Sequence, residues 1–242
     1  MEIKEGAIFI SDAHDSEKRN YFLQFLKALN DDKIKTPQLF LMGDMFDLLV
    51  WEISYTKSLF KEHVNLINNL SKKVEIFYLE GNHDFNLQKL FPNIKVFPLS
   101  AQPALFNFQD KKILLSHGDL YQGSKYIFFT TIIRNSYLLK CLNIIDIISK
   151  NSISKKILAS QLDKKLCRKI ENFQKFIKLK LQKYDIGVTK IDFVYEGHYH
   201  QNEEFVFEKL KYKNFGSFAC DKSYHKITFK DEISFQQFII KG

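Results

Sequence analysis

The sequence predicts an α/β fold carrying an inserted helical cap, and three observations predict it. Short apolar runs rich in β-branched and aromatic residues alternate with segments of helical period over the first 80 residues. Each run ends in polar, chemistry-bearing side chains, the pattern of a parallel sheet whose ligands gather at the carboxyl ends of its strands. The stretch 123–184 then breaks the pattern: one Gly at its start, no Pro, and dense Ile, Leu and Phe mixed with Lys. The boundaries that follow are a core over 1–122 and 185–242 and a helical cap over 123–184.

Taken in order, residues 7–11 form a buried strand that stops at Asp12. Residues 16–29 carry Tyr21, Phe22, Phe25, Leu26 and Leu29 at helical spacing, with Ser16 placed to cap the helix. A strand at 38–42 ends in Gly43-Asp44, a helical stretch covers 53–70, and a strand at 74–79 ends in Gly81-Asn82-His83-Asp84. Strand, helix, strand in this order implies parallel pairing through right-handed crossovers. Residues 94–97, 103–108 and 112–116 are short strands, the last leading into His117-Gly118-Asp119. The chain returns to a sheet at 191–195 and delivers Gly197-His198-Tyr199-His200. Alternation then marks strands at 204–207, 211–215, 226–229 and 233–240.

With 242 residues, 45% hydrophobic and 24 of them Phe, the chain can bury a large core and is not a disordered one. A net charge of +8 raises nucleic acid, an anionic membrane face or a phosphorylated substrate as partners. Its placement narrows the choice. Residues 150–183 hold eleven Lys/Arg against two acids, a net +9, so the basicity belongs to the cap. That segment lacks the interleaved Gly and aromatic residues of a single-strand platform, which argues against nucleic acid. The three Cys form no Cys-x-x-Cys pattern, which suits a reducing compartment and leaves a disulfide open. The charged first residues contain no signal-peptide core, and no uncharged apolar run reaches the ~18–20 residues that span a bilayer. A cytoplasmic protein is expected, with any membrane contact made from its surface.

Five of the seven His lie in the polar groups, each beside Asp, Asn or Gly. Asp12 and His14, two apart in an extended segment, face one side and can reach one ion. A lone His is ordinarily a hydrogen-bonded structural residue; five at successive strand ends point to a metal site. Mixed His, Asp and Asn donors without Cys suit Mn²⁺, Fe²⁺ or Mg²⁺, with Zn²⁺ as a further option, and disfavour a structural zinc.

The series Asp12-x-His14, Gly43-Asp44-x-x-Asp47, Gly81-Asn82-His83-Asp84, His117-Gly118 and Gly197-His198-x-His200 resembles the signature of the calcineurin-like metallophosphoesterase superfamily. The resemblance implies a double β-sheet sandwich flanked by helices, and two divalent ions with Mn²⁺ the first choice. Asp12, His14 and His200 would hold one ion, Asn82, His117 and His198 the other, and Asp44 would bridge them. It also implies a catalytic role for His83, outside the metal shell, with Asp47 orienting it. Asp84 and Asp119 would support. A scaffold with a decayed site would have lost ligands, and all seven positions are filled here.

A finer resemblance follows the fourth motif. Tyr126-Ile-Phe-Phe129-Thr-Thr-Ile-Ile-Arg134-Asn135 is similar to the Tyr-x-x-Phe-x-x-x-x-Arg-Asn stretch of the UDP-2,3-diacylglucosamine pyrophosphatases of lipid A biosynthesis. That family yields UMP and 2,3-diacylglucosamine 1-phosphate at the inner face of the bacterial inner membrane. The resemblance implies an acylated nucleotide-sugar substrate, contacts from Tyr126 and Arg134, an anionic membrane surface as partner and a monomer. Lys164, Lys165 and Arg168 are expected to add phosphate contacts. The alternative is another phosphoesterase of this superfamily, acting on a nucleotide or a phosphoprotein. His83 stands where the best-known members carry Arg, and no aromatic-His pair follows Phe215-Gly216-Ser217 in register. For the cap, two readings stand side by side. Its apolar residues, among them Ile127, Phe128, Ile144, Ile147 and Ile148, are either a lipid-facing surface or the cap's own core. Its Lys/Arg are either a lipid-docking patch or a solvated face.

Overall fold

The computed structural model describes residues 1–184, 190–229 and 232–240. The first half runs β1 (Ile8–Ile10), α1 (Tyr21–Asn30), β2 (Gln38–Leu41), β3 (Leu49–Val50), α2 (Ser54–Leu59), α3 (Lys61–Leu70), β4 (Glu75–Leu79), β5 (Asp84–Phe85) and β6 (Lys95–Phe97). The hairpin β7 (Ala104–Phe108) and β8 (Lys111–Ser116) follows, then α4 (Ser124–Ile133), α5 (Ser136–Ile148), α6 (Ser152–Leu162) and α7 (Phe173–Leu181). The chain closes with β9 (Phe193–Glu196), β10 (Glu203–Phe207), β11 (Leu210–Asn214), α8 (Phe218–Asp221), β12 (Ser223–Phe229) and β13 (Ile233–Ile239).

Two sheets face each other. One has the order β13-β12-β1-β2-β4-β6, the other β10-β11-β9-β8-β7. The strands β1, β2, β4 and β6 are parallel, as the crossover pattern predicts, while β12 and β13 extend that sheet antiparallel. In the second sheet β8, β9 and β11 are parallel, and each outer strand joins by a hairpin.

The alternation of side chains sorts the core into layers. Ile8, Ile10, Leu39, Leu41, Ile76 and Tyr78 face α1 and α3, while Phe9, Phe40, Phe77 and Leu79 face the other sheet. Between the sheets the Phe9, Phe40 and Phe77 rings lie side by side, with centroids 4.4 and 4.8 Å apart. Both faces of the central strands are therefore buried, which is why those runs read as continuously apolar. On the outer face of the second sheet, Val194 and Tyr212 pack against Phe173, Ile177 and Leu181 of α7.

Two local expectations are corrected and a third question is answered. The first helix starts at Tyr21 rather than 16, and Ser16 does not cap it. Instead the Asp15 carboxylate accepts from the Phe22 and Leu23 amides at 3.0 and 3.3 Å, while Ser16 closes a tight turn with Arg19. The 53–70 stretch is two helices, broken at buried Phe60, whose ψ of 22° leaves the helical range. The third settles what was left open for the thiols: Cys167 and Cys220, 53 residues apart, are joined in a disulfide, and Cys141 is free and exposed. The return to the core expected at 185 lies outside the described residues. Four helices, α4–α7, fall within 123–184.

His225 sits in the inter-sheet core, not at a site, with its ring 5.1 Å from Phe215. Burial, helped by Lys213, pushes its pKa down from 6.5 to about 3. Below pH 6.5 the proton then binds the unfolded chain better than the folded one. The stability is complete above that pH and is lost toward pH 3, by up to about 1.4 kcal/mol per pH unit. Urea unfolding at pH 7.0 and 5.5 should show this loss, and His225→Phe should flatten it; an unchanged slope in the variant would refute the assignment.

Candidate metal centre

The carboxyl ends of β1, β2, β4, β8 and β9 converge, so residues spread over most of the chain meet in one polar cluster. Three groups of donors lie close enough to hold ions: Asp12, His14 and His200; His14, Asp44 and His83; Asp44, His117 and His198. Asp44 belongs to two of them. Asp12 Oδ1 lies 3.1 Å from His200 Nε2, Asp44 Oδ2 lies 3.4 Å from His117 Nε2, and His117 Nε2 lies 3.2 Å from His198 Nδ1. Asn82 falls between Gly81, which abuts the Asp44 carboxylate, and His83, whose amide donates to Asp44 Oδ1 at 2.8 Å.

The backbone is bent to bring these groups in. Asp12, His14, Asp44, His198 and His200 all have φ between +41° and +67°, a region that side chains with a Cβ seldom adopt. Five such residues at one place mark strain held by its surroundings. Part of that hold is visible at Asp12, whose carbonyl accepts from Ser217 Oγ at 2.7 Å and from the Ala219 amide at 3.2 Å. Two of the motif glycines are required by close approach. A Cβ at Gly81 would collide with the Asp44 carboxylate, and one at Gly197 with Ser11 Oγ and the Asp12 carboxylate.

Residues 7–202 match the family model described as calcineurin-like phosphoesterase. The chain belongs to that family. Among curated proteins it is similar to a UDP-2,3-diacylglucosamine hydrolase of Psychromonas ingrahamii, 26% identical over 68% of this chain and 69% of that protein. A protein of the same name from Vibrio cholerae serotype O1 is 25% identical over 65% of this chain and 66% of its own length. Among solved structures it is similar to Yfce, a phosphoesterase from E. coli, at 15% identity and a TM-score of 0.45, over 97% of this chain and 99% of that one.

Membership makes this a metal-dependent phosphoesterase, and the residues present fit divalent ions. Asp12 Oδ1, both ring nitrogens of His14 and Asn82 Oδ1 are buried without a hydrogen-bond partner among the described residues. Buried polar atoms left this way are costly unless something else binds them. The ring orientations agree. His117 and His200 donate Nδ1–H to the Met42 and Leu166 carbonyls at 2.9 and 2.7 Å, which leaves each Nε2 free as a donor atom for metal. His198 differs: Nδ1 lies 3.2 Å from His117 Nε2, and Nε2 accepts from the Gln122 side-chain amide nitrogen at 2.7 Å.

Electrostatics favour cations here. Burial pushes the Asp44 carboxyl up, yet His117, His83 and His14 around it bring it well below the usual carboxylate range. Burial acts oppositely on His117, but Asp44 holds its pKa well above 6.5.

The other expected site residues fall into place unevenly. His83 Nδ1 meets Asp47 through the Asp47 main-chain carbonyl at 2.9 Å. The Asp47 carboxylate instead lies 3.4 Å from His14 Nδ1 and accepts from Arg19 Nη2 at 2.6 Å. Asp84 accepts from the Asp44 and Met45 amides and from Tyr78 Oη, so it builds the loop that carries Asp44. Tyr126 Oη donates to Asp119 at 2.7 Å, and Arg134 Nη2 to the Gly81 carbonyl at 2.7 Å. Both line a cavity of about 480 Å³ beside Asp119, together with Glu80 and Asn86. Lys164, Lys165 and Arg168 are exposed in the α6–α7 connection. Arg19 and Gln122 were not foreseen, because neither belongs to a motif and each acts only by contact with one.

Arg19 holds Asp47, and Asp47 faces His14. Arg19→Ala should weaken binding of the Asp12–His14–His200 ion by about 10–100-fold, the usual effect of losing an outer support. Isothermal titration with Mn²⁺ would measure this, and unaltered affinity would remove Arg19 from the site.

Proposed function

We propose that this phosphoesterase hydrolyses the pyrophosphate of UDP-2,3-diacylglucosamine, giving UMP and 2,3-diacylglucosamine 1-phosphate, at an anionic membrane surface. The observation that carries the substrate class is the exposure of the cap. Phe128 is 70% exposed, Ile148 77%, Ile144 58% and Ile127 54%, on α4 and α5. Of the two readings of these residues, a closed cap core does not describe them. Exposed apolar side chains in this number suit lipid better than a soluble nucleotide or a phosphoprotein. The names of the relatives at 25–26% identity support the same substrate. No helix among the described residues is long and apolar enough to cross a membrane, so contact through this face and the Lys/Arg of α6 and α7 is the mode proposed.

Two divalent ions, Mn²⁺ by preference, are assigned to the donor sets. Asp12, His14 and His200 take one, Asn82, His117 and His198 the other, with Asp44 shared. Bound there, such a pair activates water for in-line attack at phosphorus and neutralises the phosphoryl oxygens. His83 presents Nε2 to the substrate, because Nδ1–H is committed to the Asp47 carbonyl. Burial lowers its pKa below 6.5, so His83 is neutral at pH 7. In that form Nε2 is a hydrogen-bond acceptor, and a phosphate leaving group, which departs as an anion, takes no proton from it. Tyr126 and Arg134 hold the loops on which Asp119 and Gly81 lie. The Arg134 Nε and Nη1 groups, which lack partners among the described residues, are the donors assigned to a substrate phosphate.

With Mn²⁺ in detergent, UDP-2,3-diacylglucosamine should turn over much faster than UDP-N-acetylglucosamine or bis(p-nitrophenyl) phosphate and should release UMP. Asp44→Ala should be inactive on all three. Cleavage of the small diester alone would leave the metal chemistry standing and remove the lipid substrate. Separately, Phe128→Ser with Ile148→Ser should reduce co-sedimentation with vesicles containing acidic lipid while leaving turnover of the small diester unchanged. Undiminished vesicle binding by that double variant would move the membrane contact elsewhere.

A further inference from the structure

Behind the second donor set lies a charged group that the chemistry above does not use. Lys180 of α7 is 5% exposed, and Glu196, at the end of β9, is fully buried. Lys180 Nζ donates to both Glu196 carboxylate oxygens at 2.8 Å and to the Gly118 carbonyl at 2.6 Å, so its three protons are all placed. Glu196 also accepts from Ser116 Oγ at 2.8 Å, from Tyr212 Oη at 3.0 Å and from Tyr184 Oη. The location is telling. Gly118 follows His117, and Glu196 precedes Gly197-His198, so the ammonium bridges the two loops that carry these histidines. Tyr199, next to His198, donates its hydroxyl to the same Gly118 carbonyl at 2.9 Å, and its ring lies 4.9 Å from Lys180 Nζ.

We infer that Lys180 is a positioning residue for the Asn82–His117–His198 ion: its bond to the Gly118 carbonyl sets the spacing between His117 and His198. A buried ammonium needs a partner for each of its protons, and here the third partner is the carbonyl of the residue after His117. The residue comes from the cap, so the cap helix closest to the core fixes half of the core's metal site. This role rests on the two-ion reading of the site and is independent of which substrate is cleaved.

The test separates positioning from charge balance. Lys180→Met leaves the buried Glu196 charge unpaired and is expected to lower thermal stability. Lys180→Met combined with Glu196→Gln removes both charges, and its melting temperature should return toward that of the unaltered protein. In that double variant, isothermal titration with Mn²⁺ should find the first ion bound as before and the second weakened about 10–100-fold. The spin-coupled signal of a manganese pair in electron paramagnetic resonance should fall accordingly. Normal affinity for both ions in the stable double variant would overturn the role, and so would an equal weakening of both. Uptake of fewer than two ions by the unaltered protein would overturn the two-ion reading itself, and this role with it.

Discussion

The architecture depends on a carboxylate placed where water does not reach it. Asp44 is 2% exposed, with Asp12 and Asp84 fully buried nearby. Like charges gathered this way are tolerated only with compensating cations or protons. The protein supplies a ring of histidines, main-chain amides and one tyrosine hydroxyl, and several donor atoms have no partner among the described residues. That arrangement is costly for a fold and apt for a divalent ion. The left-handed backbone at five candidate ligand positions and the glycines pressed against carboxylates follow from the same demand, since five loops must enter a space only a few ångströms wide.

The sandwich is what can withstand that demand. Each central strand is buried on both faces, with phenylalanine rings filling the space between the sheets and aliphatic residues facing α1 and α3. A strand end anchored on both sides moves little, so a side chain just beyond it is held to the tolerance that metal ligation needs. The parallel order β8, β9, β11 adds the His117 and His198 loops from the second sheet, and the two sheets share one site at their common edge.

The segment between α4 and α7 joins two roles. On its outer side, α4 and α5 expose apolar residues that a closed domain would bury. On its inner side it is tied to the metal loops. The Leu166 carbonyl accepts from His200, the Ile170 amide donates to Gln201, and Cys167 is bonded to Cys220, on the helix whose amide holds Asp12. Whatever the outer face engages is thus mechanically close to the candidate metal-binding residues, through the 163–172 connection on one side and Lys180 on the other.

Much of the site was legible in the sequence because its residues are short-range motifs. Asp12 with His14, Asp44, Asn82 with His83, His117, and His198 with His200 each follow an apolar strand, and strand ends are where such sheets collect ligands. The α/β class, the parallel crossovers and the helical texture of 123–184 follow from side-chain periodicity, which is local by nature. What the sequence did not disclose is which partner each side chain meets, most often one far away along the chain. That Asp15, not Ser16, caps the first helix, that Asp47 turns its carboxylate to Arg19 and its carbonyl to His83, and that Cys167 meets Cys220 were settled only by packing. So were the pairing of Lys180 with Glu196 and the outward face of α4 and α5. Periodicity states that a residue has an apolar or polar side, but only the assembled layers decide what that side meets.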